Sequence, residues 1–207
     1  KQGIDDSLIL PVFFELRHEM EWEIDEAGLD EEFEHEFRGM STDEKREFIR
    51  ENVTSRAMAE LAPRVDRAVA EIDTHYEEKL SPNDWKGMVV TPSRRSAAMY
   101  GKRLRDRLGE DAVEVLYTGT KGDSELIKEF HTDPEERDSI VKAFKEAENP
   151  KLLVVHNMLL TGFDAPILKT MYLDRNLKNH NLMQAIARTN RPASGKENGE
   201  IVDFQGV

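Results

Sequence analysis

The chain has 207 residues, no cysteine, a mean hydropathy of −0.65 and a formal net charge of −13, from 29 Lys and Arg against 42 Asp and Glu. Without cysteine there is no disulfide framework, thiolate metal site or cysteine nucleophile. No apolar run approaches the roughly 18–20 residues that a membrane-spanning helix needs, so an integral helical membrane protein is excluded. Residues 1–80 hold 23 acids and 10 bases, whereas residues 81–207 hold 19 of each, so the chain is compositionally two pieces. No signal-peptide pattern opens it. A cytoplasmic location without membrane association is expected, and Lys1 in place of a starting Met suggests a piece of a longer protein.

The first piece, residues 1–80, reads as a linker followed by a mostly helical, acidic segment. Ile4–Phe14 is an apolar stretch interrupted by Pro11, suited to a strand or a docking arm. Ser41-Thr42-Asp43-Glu44 fits a capping box. A helix is expected from Pro63, with Val65, Val69, Ile72, Tyr76 and Leu80 spaced 4, 3, 4 and 4 along one stripe. Ser81-Pro82-Asn83-Asp84 is a turn cluster and the expected boundary.

The second piece, residues 81–207, changes period. Strands are expected at 88–90, 112–117, 152–155, 168–173 and 200–204. Helices are expected near 93–108, from the Asp133-Pro134 cap to Ala147, and at 181–191. Nearly continuous apolar strands alternating with helices predict an α/β fold, a parallel sheet covered by helices on both faces. Ligands of such sheets bind beyond the carboxyl ends of the strands. Thr91-Pro92-Ser93-Arg94, Thr118-Gly119-Thr120 and Thr161-Gly162-Phe163-Asp164 each follow a strand.

Gln184, Arg188 and Arg191 stand at i, i+4 and i+7, so one helical face presents an amide and two guanidiniums, with Leu182 and Ile186 opposite as anchors. Two Arg forks on one stripe suit a polyphosphate; a solvated helix face is the plainer alternative. Gly162 permits close backbone approach to a ligand, and Asp164 could accept from a ribose hydroxyl, although Gly, Asp and Pro166 would also make an ordinary turn. Residues 81–109 carry seven bases and two acids. With the hydroxyls of Thr91, Ser93, Thr118 and Thr120 they suggest a phosphate-tracking groove. Arg94 is its best candidate, while Lys102, Arg103, Arg105 and Arg107 read better as a solvated face. Asp25-Glu26-Ala27-Gly28 and Glu34-His35-Glu36 lack the geometry of metal sites, and no metal ligand set is expected. His75 and Tyr76 read as packing residues. Ser194-Gly195-Lys196 lacks the upstream Gly and following hydroxyl of a phosphate loop, and no such loop occurs.

Together these motifs resemble the second RecA-like domain of superfamily 2 helicases and translocases. Gln184, Arg188 and Arg191 match motif VI, the 161–166 segment motif V, and Thr91-Pro92-Ser93-Arg94 motif IV. The wording of 158–166 and 184–192, and of Asp5–Arg17, is similar to the motor (restriction, R) subunit of type I restriction–modification enzymes. His156-Asn157 departs from the wider superfamily, as does Ala187, which fits the restriction branch. The resemblance implies that ATP binds between this RecA-like domain and a first motor domain, which would supply the phosphate loop and the acids that hold Mg. It implies Arg191 as arginine finger, Arg188 as γ-phosphate ligand, and Gln184, Gly162 and Asp164 as ATP-binding. Arg94, Ser93, Thr118, Gly119 and Thr161 would hold the phosphates of double-stranded DNA. The implied activity is ATP-driven translocation that triggers endonuclease cleavage, with modification and specificity subunits as partners and little activity expected from this chain alone. Another superfamily 2 helicase or remodeller, or a non-catalytic docking module, remains the alternative.

Overall fold

The structure, a computed structural model, describes residues 10–17, 41, 60–159, 162–175, 177 and 180–205. The acidic stretches around Asp25 and His35 lie outside the described residues, as does all of the Ser41–Glu44 box except Ser41.

Among the described residues six parallel strands form one sheet: β1 (Val12–Leu16), β2 (Lys86–Val90), β3 (Val113–Leu116), β4 (Leu152–Val155), β5 (Leu168–Leu173) and β6 (Gly199–Asp203), in the order β1-β6-β5-β2-β4-β3. The helices among the described residues are α1 (Ala62–His75), α2 (Arg94–Leu108), a four-residue α3 (Glu125–Lys128), α4 (Pro134–Glu146) and α5 (His180–Thr189). The expected strands of the second piece recur within two residues at each end. Only α3 was not foreseen, because one turn is too short to carry a helical period.

The apolar runs are buried on both sides, which is why they do not alternate with polar residues. Leu152 and Val154 of β4 face one cluster, with Val69 and Ile72 of α1 and Tyr100 and Leu104 of α2. Leu153 and Val155 face the opposite cluster, with Phe144 of α4 and Ala185 of α5. Helices therefore cover both faces of the sheet, as expected. The stripe Val65, Val69, Ile72, Tyr76 and Leu80 is buried in full. It continues from α1 through a π-helical turn (Tyr76–Leu80) and a 3-10 turn (Ser81–Asn83) into β2.

Two long-range contacts bind the N-terminal elements to the sheet. β1 pairs with β6 from Val12↔Gly199 to Leu16↔Asp203. α1 lies on α2, and acids of α1 and of the residue before it meet the bases of that helix: Arg107 Nη1 is 2.9 Å from Asp73, Arg95 Nε is 3.9 Å from Glu60 just ahead of α1, and Arg103 pairs with Asp66. Arg105 bonds Glu114 at 3.0 Å and the carbonyl of Val113 at 2.9 Å. Much of the positive charge of 81–109 is thus neutralised within the protein instead of forming a groove. Surface pairs of this kind contribute only about 0–1 kcal/mol each; burial of the apolar stripe does more to dock α1.

Candidate functional site

Because all strands are parallel, their starts define one edge of the sheet and their ends the other. The expected site residues divide between these edges instead of gathering at the carboxyl one. β4 ends at the carboxyl edge, but β5 must restart at the amino edge, so the 156–167 connection carries its second half back across the sheet. Helix α5 makes the same return between β5 and β6. Asp164 and Arg191, near the ends of these two returns, meet at the amino edge.

At the carboxyl edge, Ser93 caps α2. Its hydroxyl accepts from Ser96 N at 3.0 Å, and Ser96 Oγ accepts from Ser93 N at 3.2 Å, a reciprocal box with Ser in place of the usual acid. Ser93 is fully buried, so its hydroxyl orients the helix start instead of facing a ligand. Arg94 is half-buried and locked: Nη1 donates to Asp123 at 2.6 Å, to Thr120 Oγ1 at 3.2 Å and to the carbonyl of Thr118 at 3.4 Å. Asp123 also accepts from the backbone N–H of Thr120 at 2.7 Å and lies 3.0 Å from His131 Nε2. Burial pushes the Asp123 carboxyl up, but the Thr120 hydrogen bonds, His131 and Arg94 outweigh it and hold the pKa at about 2. Gly119 lets His131 close over this loop, since a Cβ there would meet the imidazole at 2.6 Å.

The loop borders an open cleft of about 360 Å³, lined by Thr118, Gly119, Thr120, Lys121, Lys128, His131, Thr132 and Arg137. Three permanent cations and a histidine thus converge from a segment, 110–150, whose net charge is −7. A charge sum along the chain hides them because acids outnumber bases in this segment; in the fold Lys128 pairs with Glu125 at 2.7 Å and His131 lies 3.0 Å from Asp123.

Behind this edge lies a buried network. Arg64 of α1 makes a two-pronged pair with Asp174, just past β5, with one prong at 2.8 Å. Tyr100 Oη donates to the same carboxylate at 2.9 Å and Gln205 Nε2 to its other oxygen at 2.9 Å. Burial works against charge on Arg64, and Asp174 more than offsets it.

At the amino edge, the connection before β5 is anchored by alternate residues. Phe163 and Ala165 are buried in the α4–α5 cluster, with the Phe163 ring 6.0 Å from Phe144, while Gly162 and Asp164 face outward. Gly162 adopts φ +72°, a left-handed conformation that favours glycine. Thr161 lies outside the described residues.

In α5, Ala185 is buried and Leu182 and Ile186 pack beside it. Gln184 and Arg188 share a face, with Arg188 Nη2 donating to Gln184 Oε1 at 3.2 Å. The helix was expected to run to Arg191 but ends at Thr189. The reason is local: the residue before a proline avoids helical backbone, and Pro192 follows Arg191. Arg191 therefore leaves the helix and turns to the Asp164 loop, its Nε 3.4 Å from Asp164 Oδ1, with both side chains about half exposed. Close seating of the helix end on β6 needs Gly199, where a Cβ would meet the Thr189 carbonyl oxygen at 2.4 Å.

Lys196, set aside as a failed phosphate loop, is buried here and bonds three carbonyls: Pro166 at 2.9 Å, Leu168 at 2.7 Å and Arg191 at 3.1 Å. Burial, with a smaller contribution from Lys169, lowers its pKa to about 8, so it is still mostly charged at neutral pH. His75 is a packing residue, as read: its Nδ1 lies 2.9 Å from the Tyr172 hydroxyl, and burial lowers its pKa. Among the described residues no group of three or more His, Cys, Asp or Glu could hold a metal ion, and no helix is long and apolar enough to cross a membrane.

Residues 42–206 match the family model for type I restriction enzyme subunit R domain 3. The chain is 39% identical over 162 residues to the putative type I restriction enzyme MjaVIIP endonuclease subunit of Methanocaldococcus jannaschii, covering 70% of this chain and 15% of that protein. It is 32% identical over 206 residues to the putative MjaIXP endonuclease subunit of the same organism, covering 97% and 20%. The chain therefore spans a fifth or less of the length of these curated relatives. A solved fragment of a putative HsdR subunit of a type I restriction enzyme from Vibrio vulnificus YJ016 shares the RecA-like fold, with a TM-score of 0.57 at 19% identity over 100% of this chain and 34% of that one. Family match and relatives agree along most of the sequence, and the chain belongs to the type I restriction enzyme R subunit family, within its domain 3.

Proposed function

We propose that this domain is the second motor domain of an ATP-dependent DNA translocase that drives type I restriction cleavage. The observation that carries this reading is the meeting of Arg191 with Asp164 at the amino edge, beside the helix that bears Gln184 and Arg188. The donor set fits a nucleoside triphosphate. Two guanidiniums and an amide suit phosphate oxygens, and an outward carboxylate beside a left-handed glycine suits a ribose.

In this reading Arg191 stabilises the charge that develops on the transferred phosphoryl group, Arg188 binds the γ-phosphate, and Gln184 orients phosphate or water. Asp164 and Gly162 contact the ribose. ATP with Mg supplies the phosphoryl chemistry; the phosphate loop and metal-holding acids belong to a first motor domain of the full-length protein. The carboxyl-edge cleft takes the other task. Thr118, Gly119 and the bases Lys121, Lys128 and Arg137 grip DNA phosphates without reading sequence, while Arg94 keeps the loop in shape. Domain closure on ATP and reopening after hydrolysis move the grip along the duplex, and the modification and specificity subunits complete the assembly.

In the full-length protein, Arg191→Ala is expected to reduce DNA-stimulated ATP turnover by about 10³-fold or more, the scale of arginine fingers elsewhere, without lowering the melting temperature. Normal turnover in that variant would overturn the assignment. At the other edge, Lys121→Ala with Arg137→Ala should weaken binding of all duplexes alike and reduce the slope of log K against log salt by about one per lost phosphate contact.

A further inference from the structure

Lys196 is a buried cation whose three N–H donors meet three backbone carbonyls, a complete set for an ammonium group. Desolvating a charge is costly, and packing alone would be served by an apolar side chain. The three acceptors indicate what the charge accomplishes. Pro166 follows the Asp164 loop and Leu168 opens β5, whereas Arg191 lies past the end of α5, so one ammonium joins two segments that are distant in sequence.

Arg191 needs such a link. It stands two residues beyond the last helical residue and before a proline, so no helical ladder holds it. Asn190 is tied by its carbonyl to Leu10 N at 2.8 Å, and the Arg191 carbonyl is held by Lys196 at 3.1 Å. Gly195, at φ +78°, turns the chain back, and Lys196 N closes the turn on Ala193 O at 3.1 Å. The side chain of Lys196 is thereby returned beneath Arg191, whose guanidinium points at Asp164 on the very segment that Lys196 holds.

We infer that Lys196 is a positioning residue: its ammonium fixes the Arg191 backbone against the Asp164 loop and so places the guanidinium for phosphoryl transfer. This rests on the reading of Arg191 given above. A residue that only positions a group used in the transition state should affect the chemical step more than ground-state binding.

The test uses the full-length protein with Lys196→Met, Lys196→Gln and Lys196→Arg. Turnover number and KM for ATP would be measured in DNA-stimulated hydrolysis, melting by calorimetry, and affinity for ADP and for ADP with aluminium fluoride by titration. Lys196→Met is expected to lower kcat at least tenfold with KM and ADP affinity within about twofold, and to lose at least tenfold in affinity for the aluminium fluoride complex. Lys196→Arg, which keeps cationic donors, should recover most of the turnover. Lys196→Gln, with fewer donors, should fall between.

The inference is overturned if folded Lys196→Met turns over normally, if ADP and its aluminium fluoride complex weaken alike, or if none of the three variants folds, which would make the lysine a purely structural clamp. Arg191→Ala separates the two levels. Full turnover in that variant defeats the finger assignment itself, whereas an inactive Arg191→Ala beside an active Lys196→Met defeats only the role of Lys196.

Discussion

Two Arg–Asp pairs sit at opposite edges of the same sheet and differ sharply in burial. Arg64–Asp174, at the carboxyl edge, is 5% and 0% exposed and is closed off by Tyr100 and Gln205. Arg191–Asp164, at the amino edge, is 48% and 60% exposed. The first joins α1 to the end of β5. The second leaves a guanidinium and a carboxylate facing solvent, able to change partners. Burial, not residue type, separates the structural pair from the one proposed to be functional, because a desolvated pair is expensive to break and a solvated one is not.

The largest effect expected from testing this contrast is at the buried pair. Asp174→Ala leaves Arg64, Tyr100 and Gln205 without their common acceptor and should cost about 3–5 kcal/mol, read as a fall in the urea midpoint. An unchanged midpoint would mean that burial does not distinguish the pairs. Next is Gly199→Ala, where the added Cβ collides with backbone instead of a movable side chain. A loss of about 1–3 kcal/mol is expected by thermal melting. A silent substitution would show that the end of α5 can shift, with Arg191 shifting too.

The pH dependence comes third. Asp123 has a folded pKa depressed from 3.8 to about 2. Its contribution to stability is therefore complete above pH 3.8 and lost as pH falls through about 2. Asp123→Asn should flatten the acid limb of a stability profile between these values. An identical limb in the variant would exclude the Arg94–Asp123–His131 network as its source.

The smallest effect is expected at the exposed pair. Asp164→Asn should change stability by less than about 1 kcal/mol. A loss as large as that at Asp174 would erase the contrast.

Much of this was legible along the chain, and the reasons differ by element. The strands could be read because a sheet covered on both faces needs unbroken apolar runs such as Leu152–Val155. α1 could be read because its stripe is buried at every position. The candidate site residues stood out because Gly162 and Asp164, and Gln184 and Arg188, lie close together in their segments. Two further features are local: Pro192 disfavours a helical Arg191, and Ser93 with Ser96 is a capping box with serine in the acid's place. The basic cleft was hidden, since Lys121, Lys128 and Arg137 are scattered through a stretch of net negative charge.

By itself, the sequence determined the parallel α/β fold, the chain's two-part composition and the residue types at the candidate site, because periodicity, caps and short motifs are local properties. Only the tertiary structure decided which charges are spent and which are available. Arg103 and Arg107 are neutralised by α1, Arg64 finds Asp174 110 residues away, and Lys196 finds three carbonyls that no spacing rule connects. Charge interactions depend on distance in space and on exclusion of water, and neither exists until the chain has folded.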